Sequence, residues 1–185
     1  MHKKIKFLEG KNIYLRPFLK SDLKGNYIKW INNLRVNFFL ETGKLPINEK
    51  DLEEYYKSNL NSKNSILFAI CNNSDQHIGN CSISQIDWIN RRCLYGRMIG
   101  EKKNVKKGSG SEVLKIIQKY VFHTLNLNSM WTGVCADNIA SIKSNINCNM
   151  KKVGVFKDAF FRDNRYLDVV IFSITKNEFE KINEI

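Results

Sequence analysis

Apolar and polar positions alternate in short runs and in helical stretches along nearly the whole chain. Between Asn12 and Pro17, Ile13 and Leu15 alternate with polar neighbours, which predicts a strand closed by proline. Ser21 is placed to cap a helix over Asp22 to Ile31, with Leu23, Tyr27, Trp30 and Ile31 on its inner side. A second helix is expected from about Asn48. Its first turn carries Glu49 and Asp51, where the helix dipole favours anions, and Leu52, Tyr55 or Tyr56, and Leu60 face inward. The stretch from Asn33 to Pro46, with Phe38, Phe39 and Leu40, reads as irregular. Three strands follow as an antiparallel meander: Ser65 to Cys71, Gln76 to Gln85 after the turn Asn72-Asn73-Ser74-Asp75, and Cys93 to Ile99. From Gly110 to Leu125, the residues Val113, Leu114, Ile117, Tyr120, Val121 and Leu125 keep helical spacing. A strand at Met130 to Ala136, a helix at Ile139 to Cys148, and strands near Val153 to Phe160 and Leu167 to Ile174 complete the pattern. A meander, a crossover helix and a returning parallel strand imply an α/β fold with a mixed sheet. No linker or repeat interrupts residues 1–185, so a single domain is expected.

The stretch Met98 to Ser111 joins the last meander strand to the long helix. Gly108-Ser109-Gly110 opens that helix, whose first-turn N–H groups lack intrahelical partners and carry partial positive charge. Gly108 and Gly110 allow close approach, and Lys106 and Lys107 add two full charges, so the ligand expected here is a phosphate ester. A Walker A loop counted from Gly100 would need a second glycine where Val105 stands, and a dinucleotide fingerprint would need one at Val113. Neither motif is present. A tight turn without a ligand remains the alternative for a lone Gly-x-Gly.

The formal net charge of +12 suggests a polyanionic partner. The lysines are dispersed, and no helix-turn-helix, zinc-finger or RNA-binding motif accompanies them, so a solvated basic surface is expected and nucleic acid is not. The five cysteines, Cys71, Cys81, Cys93, Cys135 and Cys148, form no Cys-x-x-Cys pair, which predicts buried free thiols and no metal. No apolar run approaches the roughly 20 residues of a membrane span, and none follows Met1 to Lys6 as a leader, so a cytoplasmic protein without membrane contact is expected.

Several strings, in this order, resemble the GNAT superfamily of acyl-CoA-dependent N-acetyltransferases. The likeness is to the branch of ribosomal-protein N-terminal and spermidine acetyltransferases, and it covers Asn12 to Ile174. They are Ile13 to Pro17, Ile78-Gly79-Asn80, Asn90-Arg91-Arg92, Met98 to Gly100, Lys107 to Glu112, Asn138 to Ser141 and Phe160 to Tyr166. The resemblance implies the GNAT acyl-CoA N-acyltransferase fold and acetyl-CoA as co-substrate, with the phosphate loop falling on Val105-Lys106-Lys107-Gly108-Ser109-Gly110. Val105 replaces the usual Gln or Arg. By resemblance, amides of Lys106 to Ser111 hold the pyrophosphate, and backbone groups of Met98 and Ile99, beside Gly100, hold the pantetheine arm where two strands splay. Asn138 and Ser141 also touch the cofactor, Asn138 doubling as a helix cap.

Acetyl transfer needs a neutral amine, an oxyanion donor and a proton for the departing thiolate. The N–H of Ile99 is the expected oxyanion donor. The family's usual Glu base falls on Leu94, and its usual Tyr acid on Asn145. Two readings stay open. Ser141 serves as acid with Asp87 as base, or the chain is a degenerate acyl-CoA-binding module. His2, His77 and His123 are not expected to take part. The acceptor is expected between Trp30, Phe38 and Phe39, the Asp87-Trp88 pair and the hairpin near Arg162 to Tyr166. A small primary amine is the expected acceptor, a nucleotide-linked amino sugar suiting the basic charge. Protein N-termini and polyamines are the alternatives. The protein is expected as a monomer or homodimer.

Overall fold

The computed structural model describes residues 5–42, 44–100, 106 and 108–183. Eight strands form one sheet: β1 (Leu8–Glu9), β2 (Ile13–Pro17), β3 (Ile66–Asn72), β4 (His77–Asp87), β5 (Arg92–Ile99), β6 (Ser129–Cys135), β7 (Lys151–Arg162) and β8 (Arg165–Thr175). Their spatial order is β1-β2-β3-β4-β5-β6-β8-β7. Every pairing is antiparallel except β5 with β6, which the crossover helix makes parallel. The helices are α1 (Asn26–Ile31), α2 (Leu34–Asn37), α3 (Glu49–Leu60), α4 (Ser109–Lys119), α5 (Ile139–Asn147) and α6 (Lys176–Asn183). This is the expected mixed α/β architecture, with β1, α2 and α6 in addition.

Two cores explain why successive residues of β2 and β3 are all buried. Ile13, Leu15, Phe68 and Ile70 face α4, packing with Val113, Leu114 and Ile117. Tyr14, Ala69 and Cys71 face the other way, against Tyr27, Trp30 and Ile31 of α1 and Leu52 of α3. Alternation within a sheet covered on both sides leaves few positions for polar residues. All five cysteines are buried thiols.

Three local expectations need correction. The helix expected over Asp22 to Ile31 is broken: Lys20–Leu23 is a 3₁₀ turn, Gly25 takes φ 91°, and α1 starts only at Asn26. Ser21 caps no helix among the described residues; the Asp22 carboxylate instead accepts from the Leu19 N–H at 2.8 Å and pairs with buried Arg16 at 2.6 and 2.7 Å. Leu60, expected inside, is exposed because α3 rests on the sheet by one short stripe centred on Leu52. The long helix begins at Ser109 and loosens at its end, where the Leu125 N–H reaches back five residues to the Tyr120 carbonyl at 3.0 Å.

Candidate active site

β5 and β6 pair only over Arg92↔Ser129, Cys93↔Met130 and Leu94↔Trp131. Beyond that third rung they part, because β6 continues through Thr132 to Cys135 with β8 as its partner while β5 continues with β4. The Gly100 N–H donates to the Ile78 carbonyl at 3.0 Å, and the register Asn80↔Met98, Ser82↔Gly96 alternates from it. Antiparallel alternation therefore commits the main chain of Leu94, Gly96 and Met98 to β4 and turns that of Tyr95, Arg97 and Ile99 toward the gap. Ile99 turns its N–H toward the gap. Met98 does not; it contributes its side chain, which packs on the α1 face.

The gap opens into a cleft of about 450 Å³ whose walls come from both sides of the sheet. On one side stand Tyr27, Ile31, Phe39 and Tyr55; through the middle run Leu94 to Met98 and Thr132 to Cys135; beyond lie Asn138, Ser141 and Asn145 of the α5 region. A cleft through a sheet suits a reaction of two substrates arriving from opposite faces.

Arg97, which lines the cleft, reaches the first turn of α4. Gly108 sits at the helix cap with φ 93°, a left-handed conformation natural to glycine, and a Cβ there would meet nothing within 4 Å. No side chain among the described residues caps this turn. Ser109 is buried, its hydroxyl donating to the Lys106 carbonyl at 2.8 Å, and the Lys106 ammonium is held by Asn12 at 2.9 Å. Glu112 ties the same turn to β2 by accepting from the Asn12 N–H at 2.7 Å. Ser111 exchanges a hydroxyl bond with Ser144 of α5 at 3.1 Å. Val105 and Lys107, expected in the same loop, lie outside the described residues.

Arg97 is a residue that sequence reasoning missed. Its guanidinium crosses toward the helices, donates to the Gly110 carbonyl and lies 3.3 Å from the Ser144 hydroxyl. A carbon added at Gly110 would come within 3.1 Å of that guanidinium, so glycine is what lets strand and helix meet. The signal was an arginine in mid-strand on the face of Cys93 and Tyr95, where an apolar residue is the rule. Tyr95 and Asn145 were also missed as polar cleft residues. Both are buried; the Tyr95 hydroxyl lies beside the Arg97 guanidinium, and the Asn145 amide nitrogen has no well-formed hydrogen bond among the described residues.

The Asn138 side-chain oxygen accepts from the Ser141 N–H at 3.2 Å, so the cap role holds and its amide nitrogen is left over as a donor. Ser141 lines the cleft. Asp87 is not brought there. Its carboxylate closes the β4–β5 turn, accepting from the Asn90 N–H at 2.9 Å and side chain at 2.7 Å with Arg92 3.3 Å away, and these donors hold its pKa below the usual carboxylate range. Trp88 is likewise outside the cleft, donating its indole N–H to the Lys63 carbonyl. Trp30 is a core residue wedged under Gly100 and edge-on to His77. Phe39 reaches the cleft, whereas Phe38 meets it edge-to-face and lies beneath Arg162. Arg162 also donates to the Asn37 carbonyl at 3.2 Å, so the last hairpin does secure the segment that carries Phe39.

A family model for the acetyltransferase (GNAT) domain matches residues 12–151. The chain belongs to the GNAT acetyltransferase family. Among GNAT relatives, uncharacterized N-acetyltransferase p20 of Bacillus licheniformis is 33% identical over 110 residues, 60% of this chain and 61% of that protein, so the match spans about three fifths of the relative. Probable N-acetyltransferase YjcK of Bacillus subtilis is 27% identical over 169 residues, 85% of this chain and 87% of that one. The crystal structure of spermidine N-acetyltransferase from Vibrio cholerae in complex with CoA and spermine superposes with a TM-score of 0.82. It is 21% identical and covers 90% of this chain and 97% of its own, a likeness of GNAT fold. No group of three or more metal-ligating side chains occurs among the described residues, and no helix there is long and apolar enough to cross a membrane.

Proposed function

We propose that this protein transfers an acetyl group from acetyl-CoA to the primary amine of a small molecule by direct attack within the cleft. The observation that carries the reading is the parting of β5 from β6 after Leu94, beside an uncapped α4 N-terminus. A pyrophosphate suits the amides that follow Gly108, with Lys106 and Arg97 as nearby cations. A pantetheine arm suits the row of gap-facing main-chain groups at Ile99, Arg97 and Tyr95, and the amide nitrogen of Asn138 is a further donor to it. The same row offers the oxyanion donor: Ile99 lies nearest the cradle, and the Arg97 N–H serves a thioester seated deeper.

No strong base lines the cleft. Glu41 is its one carboxylate among the described residues, and that group is exposed and paired with Lys44 at 2.9 Å. The acceptor therefore enters as a free amine, its proton leaving to water, and catalysis rests on orientation and the oxyanion donor. Ser141 is the proton donor that the sequence nominates.

The acceptor wall is aromatic, built of Tyr27, Phe39 and Tyr55, with one compromised carboxylate. Such a wall favours an amino sugar joined to a nucleotide over a free polyamine, whose several ammonium groups would need several carboxylates. The test is calorimetry with acetyl-CoA, followed by thiol release over a panel of nucleotide-linked amino sugars, spermidine and peptide N-termini. Turnover of spermidine above the sugars overturns the acceptor assignment. Tight CoA binding without turnover of any amine leaves the degenerate binding module as the function.

A further inference from the structure

Two glycines flank the parting of β5 and β6. Gly96 and Gly133 each stand two residues past the last rung, Leu94↔Trp131, on their own strands. Cys93 and Tyr95 of β5, and Met130 and Val134 of β6, turn into the core under α4, so the residues alternating with them turn to the opposite face. Met98, two residues beyond Gly96, packs on that face with α1. The gap is therefore bordered there by two positions without a side chain, and both line the cleft.

Glycine weakens a strand interior, and its usual reasons are an unusual backbone conformation or a close approach by backbone or ligand. Neither glycine has a positive φ, and no backbone atom would crowd a Cβ on either. That leaves a ligand. The two surroundings differ: a Cβ on Gly96 would lie 3.2 Å from the hydroxyl of Ser82, its partner on β4, whereas one on Gly133 would lie 3.1 Å from Val169 Cγ1 and 3.5 Å from Ile171 Cδ1 of β8. Ser82 is half-buried, lines the cleft and makes no hydrogen bond among the described residues. One rim of the opening is a hydroxyl and the other is methyl groups.

We propose that Gly96 and Gly133 form the port by which the acceptor amine reaches the thioester, and that their missing side chains admit an amine carried on a branched carbon, such as a ring carbon. This rests on the acetyltransferase reading. The gap-facing main chain of Tyr95 and Arg97 lies to either side of Gly96, so a thioester held there presents its carbonyl carbon to the α1 face. An amine on an unbranched carbon is slender enough to pass a Cβ on either strand; a carbon bearing two further carbons needs both left bare. Ser82 accepts one N–H of the arriving amine, which leaves the nitrogen lone pair for the carbonyl carbon, and Val169 and Ile171 cover the carbon skeleton. The nitrogen–carbon bond forms and the carbon–sulfur bond breaks with its electron pair on sulfur. One proton leaves the nitrogen and one reaches the sulfur through solvent, so Ser82 begins and ends as a hydroxyl.

The test is steady-state kinetics on Gly96→Ala, Gly133→Ala and Ser82→Ala, with calorimetry of CoA. The acceptors are a nucleotide-linked amino sugar with its nitrogen on a ring carbon, and spermidine, whose terminal nitrogens sit on CH₂ groups. Wild type is expected to favour the ring amine. In each glycine variant the ratio of kcat/KM for the ring amine over spermidine is expected to fall by about 10-fold or more, with the CoA dissociation constant within about 2-fold of wild type. Ser82→Ala is expected to raise KM for the ring amine by about 2- to 10-fold, and an unchanged KM overturns the seat at Ser82. Should Gly133→Ala fail to fold against Val169, Gly96→Ala still decides, because its one close neighbour is a hydroxyl that can rotate. A ratio unchanged in Gly96→Ala, or a wild type that prefers spermidine, overturns the port while leaving the acetyltransferase reading intact. CoA binding without turnover of any amine overturns both.

Discussion

Gly100 lies against the indole of Trp30, so closely that a Cβ on the glycine would come within 2.0 Å of a ring carbon. The contact fixes the end of β5 against α1 at the point where the chain leaves the sheet for the phosphate loop. Gly100→Ala is expected to destabilise the protein by about 1–3 kcal/mol through overpacking. Because Gly100 follows Ile99, whose N–H faces the gap, CoA affinity should fall as well. Denaturant titration and calorimetry on the same variant check the two effects together.

Arg16 and Asp22 form a two-pronged ion pair that is almost wholly buried, at 1% and 6% exposure. The pair reverses the chain after β2 and sets α1 in place as a wall of the cleft. Asp22→Ala leaves a guanidinium without its counter-charge and is expected to cost about 3–5 kcal/mol. A double change of both residues to apolar ones of similar size should recover much of that loss. Equal loss in single and double variants would show that the pair itself is not the source.

His77 lies half-buried between the Trp30 and Phe18 rings and bonds the Asn80 side chain at 2.7 Å. Burial holds its pKa below the ordinary 6.5, although Asn80 and Asp22, 3.9 Å away, pull the other way. The unfolded chain then binds this proton more tightly than the folded one, so His77 lets stability fall as pH drops below 6.5. His77→Gln is expected to flatten that part of the melting-temperature profile between pH 7 and the onset of carboxylate titration, within about that window.

Gly108 faces open space at the head of α4 with a positive φ. Gly108→Trp is expected to cost about 1–2 kcal/mol in backbone strain and to abolish CoA binding by filling the cradle. The circular dichroism spectrum should stay that of the folded protein. Retained CoA affinity in a folded Gly108→Trp would remove this turn from the cofactor site.

Asn138 holds the Ser141 N–H by its oxygen, and its nitrogen makes no hydrogen bond among the described residues. Asn138→Asp keeps the cap and replaces the donor by a negative charge, so stability should hold within about 0.5 kcal/mol while KM for acetyl-CoA rises. Asn138→Ala should lose about 1 kcal/mol in addition. The split between melting temperature and KM separates the two roles.

Periodicity alone was enough to place the meander, α4, α5 and the mixed sheet, because a strand or helix covered on one face repeats its apolar residues at a fixed interval. It also located the glycine turn, whose φ at Gly108 only a residue without a side chain adopts readily. Leu94 and Asn145 were legible as departures, since they stand where strings similar to the family's carry Glu and Tyr. What tertiary structure alone decided was which polar groups meet. Asp87 looked free in sequence and is consumed by its own turn, while Asp22 read as the start of a helix and is a buried counter-ion to Arg16. Tyr95 and Arg97 passed as members of a strand, and become cleft residues only because β6 leaves β5 one rung earlier, at Leu94↔Trp131. Local spacing records which face of an element is covered; it holds no record of where two distant strands stop pairing, and that parting makes the cleft.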